Sequence, residues 1–167
     1  AIDLPMCADT SVAMPELTRL CRDLLGADGR KKATVEARAK ELGEKHKIRR
    51  AKWLVDAQAK AAQKEVSTAH LAYALGEVIK RDDWVLVNGN SNGWARRLWD
   101  FTKPNQYLGA SGGAGVGYGM SAAIGAALAL KDTGKLAVDI QSDGDLLMTS
   151  SSLWTAAKHR IPLLAVM

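Results

Sequence analysis

Apolar positions change their spacing near residue 67, dividing the chain into a helical front and an alternating back. In the front, a short strand and a turn lead to Met14-Pro15. There a segment opens in which Leu17, Leu20, Cys21, Leu24 and Leu25 share one helical face, ended by Gly26. Residues 28–65 are rich in Ala, Lys and Glu with weak periodicity, the pattern of a surface-lying helical connector. From Ser67 on, short apolar runs alternate with helical stretches. Ser67 caps a helix reaching about Lys80, Trp84 to Val87 form a strand running into the polar turn NGNSNG, and Trp94 to Trp99 form a short helix. An extended piece at Gln106 to Leu108 precedes a small-residue helix, Gly117 to Leu130. A strand at Leu136 to Ile140, a helix at Leu146 to His159 and a strand at Pro162 to Met167 complete the order. This alternation predicts an α/β fold: a doubly wound parallel sheet with helices on both faces and ligands at the carboxyl ends of its strands.

Composition narrows the picture. With 167 residues, 47% hydrophobic and 25% charged, the chain can bury one ordinary core plus a fragment. The net charge of +5 is local: 12 of the 23 Lys and Arg lie between Arg30 and Lys64 against four acids, which leaves 11 bases and 14 acids elsewhere. Such a stripe, interleaved with Glu36, Glu41 and Glu44 and holding one aromatic, Trp53, reads as a solvated helix face, and no nucleic-acid partner is expected. Cys7 and Cys21 have no metal-type spacing and are too few for a disulfide framework, so a reducing, cytoplasmic setting is expected. No apolar run approaches the roughly 20 residues that span a bilayer, so no membrane partner is expected. The start without Met and the end inside an apolar run, IPLLAVM, suggest a piece of a longer chain.

Two features at strand ends suit phosphate. Ser111 to Gly119, SGGAGVGYG, leads directly into the helix MSAAIGAALAL, and its glycines allow close backbone approach while the helix start offers unpaired N–H groups to an anion. Tight strand-to-helix packing would give the same composition. The glycines fit neither G-x-G-x-x-G nor GxxxxGK[ST]. The second feature is the strand LAVDI followed by Ser142-Asp143-Gly144-Asp145 and a helix. A carboxylate there could hold Mg²⁺ while backbone N–H groups take phosphate oxygens; an Asp-Gly turn with Asp145 as a plain helix cap is the simpler alternative. His46, His70 and His159 sit at helical positions and read as surface or packing residues. The Ser150-Ser151-Ser152 run is expected on a helix near the site.

The order strand, S-D-G-D, helix with Leu153 and Thr155, then Ile161-Pro162 and an apolar strand resembles the thiamine-diphosphate motif. That motif opens with G-D-G and closes with a pair of asparagines, which here would follow Met167. Upstream, FTKPNQYLGASGGAGVGYGMSAAIGAALAL is similar to the acetolactate synthase stretch from F-x-x-P through a glycine-rich turn to G-x-x-A-A-I-G-A. The resemblance covers Ser67 to Met167, and a weaker likeness makes residues 1–27 the end of a central domain. The implied organisation is a central-domain remnant at 1–27, a connector at 28–65 and a truncated thiamine-diphosphate domain at 66–167.

The resemblance implies thiamine diphosphate and Mg²⁺ as cofactors and a small 2-oxo acid as substrate. Asp143 matches the metal-ligating position, and Gly144 and Asp145 match positions whose N–H groups meet the diphosphate, although a side-chain role for Asp145 is doubtful beside phosphates. Gly89, Asn90 and Ser91 align with a turn that hydrogen-bonds the diphosphate, without the histidine common there. Val116 matches the apolar residue supporting the thiazolium ring, next to Gly115. The Ala114 carbonyl would accept from the cofactor's 4′-amino group. No catalytic side chain is matched: the glutamate acting on the cofactor belongs to an N-terminal domain, normally of another subunit. A homodimer or homotetramer with the active site at a subunit interface is implied, and this stretch alone should be inactive. Ser142, Ser91 and Val116 depart from the pattern. They keep two other readings open, a non-catalytic α/β scaffold or regulatory domain and the small subunit of a two-chain 2-oxo-acid decarboxylase.

Overall fold

The computed structural model describes residues 3–109 and 115–167. The chain divides into two compact units, Ala1–Arg49 and Arg50–Met167. In the first, helix α1 spans Thr10–Gly26. It begins earlier than the Met14-Pro15 signal suggests, because Asp9 is its N-cap: the Oδ1 oxygen accepts from the Ser11 backbone N–H at 2.8 Å. Pro15 therefore lies inside the helix, and the residues described ahead of Asp9 form no strand. Helix α2, Gly29–Ala59, is the long polar helix expected of its composition, with Lys45 paired to Glu41 and Lys47 to Glu44 along one face.

The second unit contains the sheet. Ser67 caps α3, Thr68–Ile79, by accepting from the His70 N–H at 3.2 Å. Strands β1 (Trp84–Gly89), β2 (Leu136–Ile140) and β3 (Leu164–Val166) pair in parallel in that order. The register runs from Trp84 opposite Leu136 to Gly89 opposite Ile140, with an irregularity between Leu86 and Asn88. The extended piece lies beside β1, where the Leu86 N–H donates to the Gln106 carbonyl at 2.9 Å.

Side chains of β1 alternate between two cores. Trp84 and Leu86 join Leu75 and Ile79 of α3, Ala95 of α4 (Trp94–Leu98) and Trp99. Val85 and Val87 join Met120, Ala123, Ile124 and Ala127 of α5 (Tyr118–Leu130). Helices thus cover both faces, which is why the strands read as unbroken apolar runs. Trp84 packs edge-on against Trp99 with centroids 5.1 Å apart, and the Trp99 indole N–H donates to the Ala72 carbonyl at 2.7 Å.

One expected helix is two. Residues 146–159 contain the second half of α6 (Asp143–Met148), a turn at 149–151 and α7 (Ser152–Lys158), so only Ser152 of the serine run is helical. Thr149 ends α6 with φ −135° and turns its hydroxyl toward the glycine-rich segment ahead of α5. Among the described residues no helix is long and apolar enough to cross a membrane.

Candidate functional site

Parallel pairing brings the ends of β1 and β2 side by side. Gly89 faces Ile140, and the Asn90 N–H donates to the Ile140 carbonyl at 2.9 Å. Residues 89–91 and 141–145 therefore leave the sheet at the same edge. The glycine-rich turn joins them there: Gly117 and Gly119 donate their N–H groups to the two oxygens of Asp145 at 2.5 and 2.9 Å, and the Thr149 hydroxyl donates to the Gly117 carbonyl at 2.9 Å.

This corrects two expectations. Two N–H groups at the start of α5 are not left for an outside anion, because a carboxylate carried by α6 already occupies them. A tethered anion gains charge-assisted hydrogen bonds and the favourable helix dipole without loss of a free ligand's entropy. Nor is Asp145 the cap of its own helix: Ser142 takes the N-cap position of α6, and Asp145 reaches across to a different helix. Burial alone would raise the Asp145 pKa, but donation from Gly117, Gly119 and Gln141 outweighs it and holds this carboxyl below the ordinary value.

Beneath the turn lies a polar cluster that the sequence pattern did not single out. The Asn88 amide donates to Asp139 Oδ1 at 2.8 Å and to Gln141 Oε1 at 2.7 Å, and the Gln141 amide donates to Asp145 Oδ2 at 3.1 Å. Asp139 is 0% exposed and its Oδ2 has no hydrogen-bond partner among the described residues. Burial pushes its pKa up to about 6; the Asn88 bond opposes this rise and the nearby Asp145 charge adds to it. Polar residues inside the apolar runs WVLVNG and LAVDI were the available signal.

The remaining candidates fall into place around this cleft. Asp143 and Gly144 are exposed at the first turn of α6. Ser142 makes no side-chain cap bond there, and a Cβ on Gly144 would meet open space. The first turn of α6 is thus uncapped beside an exposed carboxylate, and this pair of features fits a divalent cation and a diphosphate as half of a site. Among the described residues no group of three or more His, Cys, Asp or Glu could hold a metal, so a cation at Asp143 would need further ligands. Val116 is 67% exposed beside Gly115, which has φ +72°. Ala114 lies outside the described residues. Asn90 is exposed, whereas Ser91 is 1% exposed and its hydroxyl accepts from the Ala95 N–H at 3.1 Å, shaping the turn into α4. Ser91→Ala is accordingly expected to lower stability by about 1 kcal/mol in urea denaturation. An unchanged midpoint would contradict this role of the hydroxyl.

An exposed carboxylate and an uncapped helix start thus stand at the carboxyl edge of a parallel α/β sheet, the edge at which domains of this class take their ligands. Residues 87–167 match the family model described as thiamine pyrophosphate enzyme, C-terminal TPP binding domain. A probable acetolactate synthase 2, chloroplastic, of Oryza sativa subsp. japonica is 28% identical over 159 residues, 95% of this chain and 23% of that protein. Acetolactate synthase 2, chloroplastic, of Brassica napus is 36% identical over 75 residues, 45% of this chain and 12% of that protein. Acetolactate synthase 1, chloroplastic, of Nicotiana tabacum is 36% identical over 87 residues, covering 47% and 13%. The chain spans less than a quarter of the length of each of these relatives. No solved structure matches it significantly. Residues 87–167 belong to the thiamine pyrophosphate enzyme family, as an acetolactate synthase-like C-terminal TPP-binding domain.

Proposed function

We propose that this chain contributes the diphosphate and Mg²⁺ half-site of an enzyme that acts on 2-oxo acids. The observation that carries the reading is the pairing of the exposed Asp143 carboxylate with the uncapped first turn of α6, at the sheet edge where β1 and β2 both end. Asp143 would supply one oxygen ligand to Mg²⁺, and the backbone N–H groups of Gly144 and Asp145 would meet the diphosphate. Gly89 and Asn90 would flank it from the end of β1, with Ser91 fixing their turn. Val116, apolar and exposed, would support the ring system next to Gly115, and the Ala114 carbonyl would accept from the cofactor's 4′-amino group, as the resemblance implies. Bound thiamine diphosphate supplies an electron sink for breaking the bond next to a 2-oxo acid carbonyl. The protein's part is to bind and orient it, with the site completed by residues of a partner subunit in a homodimer or homotetramer.

Calorimetric titration of the full-length protein with thiamine diphosphate in Mg²⁺ tests this. Binding that needs Mg²⁺ and is lost in Asp143→Ala is expected. Binding of equal strength in the variant removes Asp143 from the metal site, and a folded wild type that gives no heat supports a scaffold in its place.

A further inference from the structure

We propose that Asp145 and Thr149 form a clamp that fixes the Gly117 turn, and with it Val116, relative to the Asp143 loop before any ligand arrives. The two residues lie four apart in one segment and grip both backbone groups of the same glycine. Asp145 takes the Gly117 N–H at 2.5 Å, and Thr149 donates to the Gly117 carbonyl at 2.9 Å. Asp145 also takes the Gly119 N–H, so its two oxygens span the first turn of α5. The fit is close on the other side as well. Gly117 has φ +78°, and a Cβ there would lie 2.6 Å from Thr149 Cγ2 and 3.0 Å from Met148 Cβ. Asp145 is itself held by the Gln141 amide, which is anchored in turn by Asn88 on β1. A chain of hydrogen bonds therefore runs from β1 through the end of β2 to the turn.

The consequence lies in spacing. Val116 is one residue from the clamped glycine, and Asp143 is two residues from the clamping carboxylate. Resting on the thiamine-diphosphate reading, this makes the Asp145 and Thr149 side chains positioning groups: they fix the gap between the groups for the two ends of one cofactor and leave contact with the diphosphate to the backbone. Preorganisation of this kind favours a ligand that spans both places over one that occupies only the Asp143 side.

The test compares two probes in saturating Mg²⁺: thiamine diphosphate, which spans the gap, and inorganic pyrophosphate, which does not. In the full-length protein, Asp145→Ala, which keeps the backbone N–H, is expected to weaken thiamine diphosphate about ten- to a hundredfold relative to pyrophosphate. Amide hydrogen exchange of the ligand-free protein should show Gly117 and Gly119 losing protection in the same variant. Thr149→Val, which removes only the hydroxyl bond, should shift the ratio of affinities in the same direction by less. An unchanged ratio in folded Asp145→Ala overturns the clamp. If that variant does not fold, Thr149→Val decides: a shifted ratio upholds the clamp and an unchanged one overturns it. A wild type that binds neither probe sinks the functional reading instead. Protection of the Gly117 and Gly119 amides then still sustains the clamp, and fast exchange refutes it.

Discussion

Gly119→Ala is expected to destabilise the domain by about 3 kcal/mol or more, although alanine is the better helix former by about 1 kcal/mol. Gly119 is the second residue of α5, and a Cβ there would lie 2.5 Å from Gln141 Oε1 and 2.9 Å from the Asn88 amide nitrogen. Neither group can retreat freely, because each is committed to the buried polar cluster. Making room would break hydrogen bonds in a place water does not reach, and each stranded group costs about 1–3 kcal/mol. Gly125, six residues along the same helix, supplies the control: a Cβ there meets nothing within 4 Å. Gly125→Ala should raise stability by about 0.5–1 kcal/mol. Urea denaturation of the two variants should therefore give shifts of opposite sign. Equal and small shifts would mean that the turn is packed less closely against the cluster.

Asp139→Asn should flatten the pH dependence of stability between roughly pH 4 and 6, the interval that separates an ordinary aspartate from the buried Asp139. The Asp139 carboxyl titrates near 6 when folded, against an ordinary value of 3.8. Between these values the folded chain holds a proton that the unfolded chain has released. This contribution is fully present below the lower value and disappears as pH rises through the upper one, a change on the order of 3 kcal/mol for a shift of about two units. Above pH 6 the folded protein carries a buried charge with one unpartnered oxygen, facing Asn88 and near Asp145. Asparagine keeps an acceptor for the Asn88 amide and removes the charge. Its stability relative to wild type should therefore be lowest in acid and improve toward pH 8, as read from unfolding midpoints across that range. Parallel profiles for the two proteins would show that Asp139 does not titrate there.

Sequence patterning reveals what neighbours in sequence decide. The strands at 84–89 and 136–140 announce themselves by apolar runs, and Ser67 by its position before a helical period. Local caps are less legible, since the Asp9 carboxylate starts α1 ahead of the more conspicuous Pro15. Tertiary partners are not legible at all. Asp145 finds Gly117 28 positions upstream, and Thr149 finds the same residue 32 positions away, so nothing nearby explains why the helix breaks at 149. The Ser-Asp-Gly-Asp stretch and the glycine turn are both recognisable as pieces of one site. That the second aspartate holds the turn, while the first stays open, follows only from their placement in space.

The parallel order of the strands also bears on how the domain is made. Trp84 meets Leu136, 52 positions further on, so the first ladder cannot zip from a tight hairpin. Closing so long a loop loses chain entropy before any contact returns it, which places such sheets among the slower folders. During synthesis, the backbone N–H and C=O groups of β1 that pair with β2 must wait until β2 emerges. The same wait applies to Asn88, whose partners on β2 arrive with it.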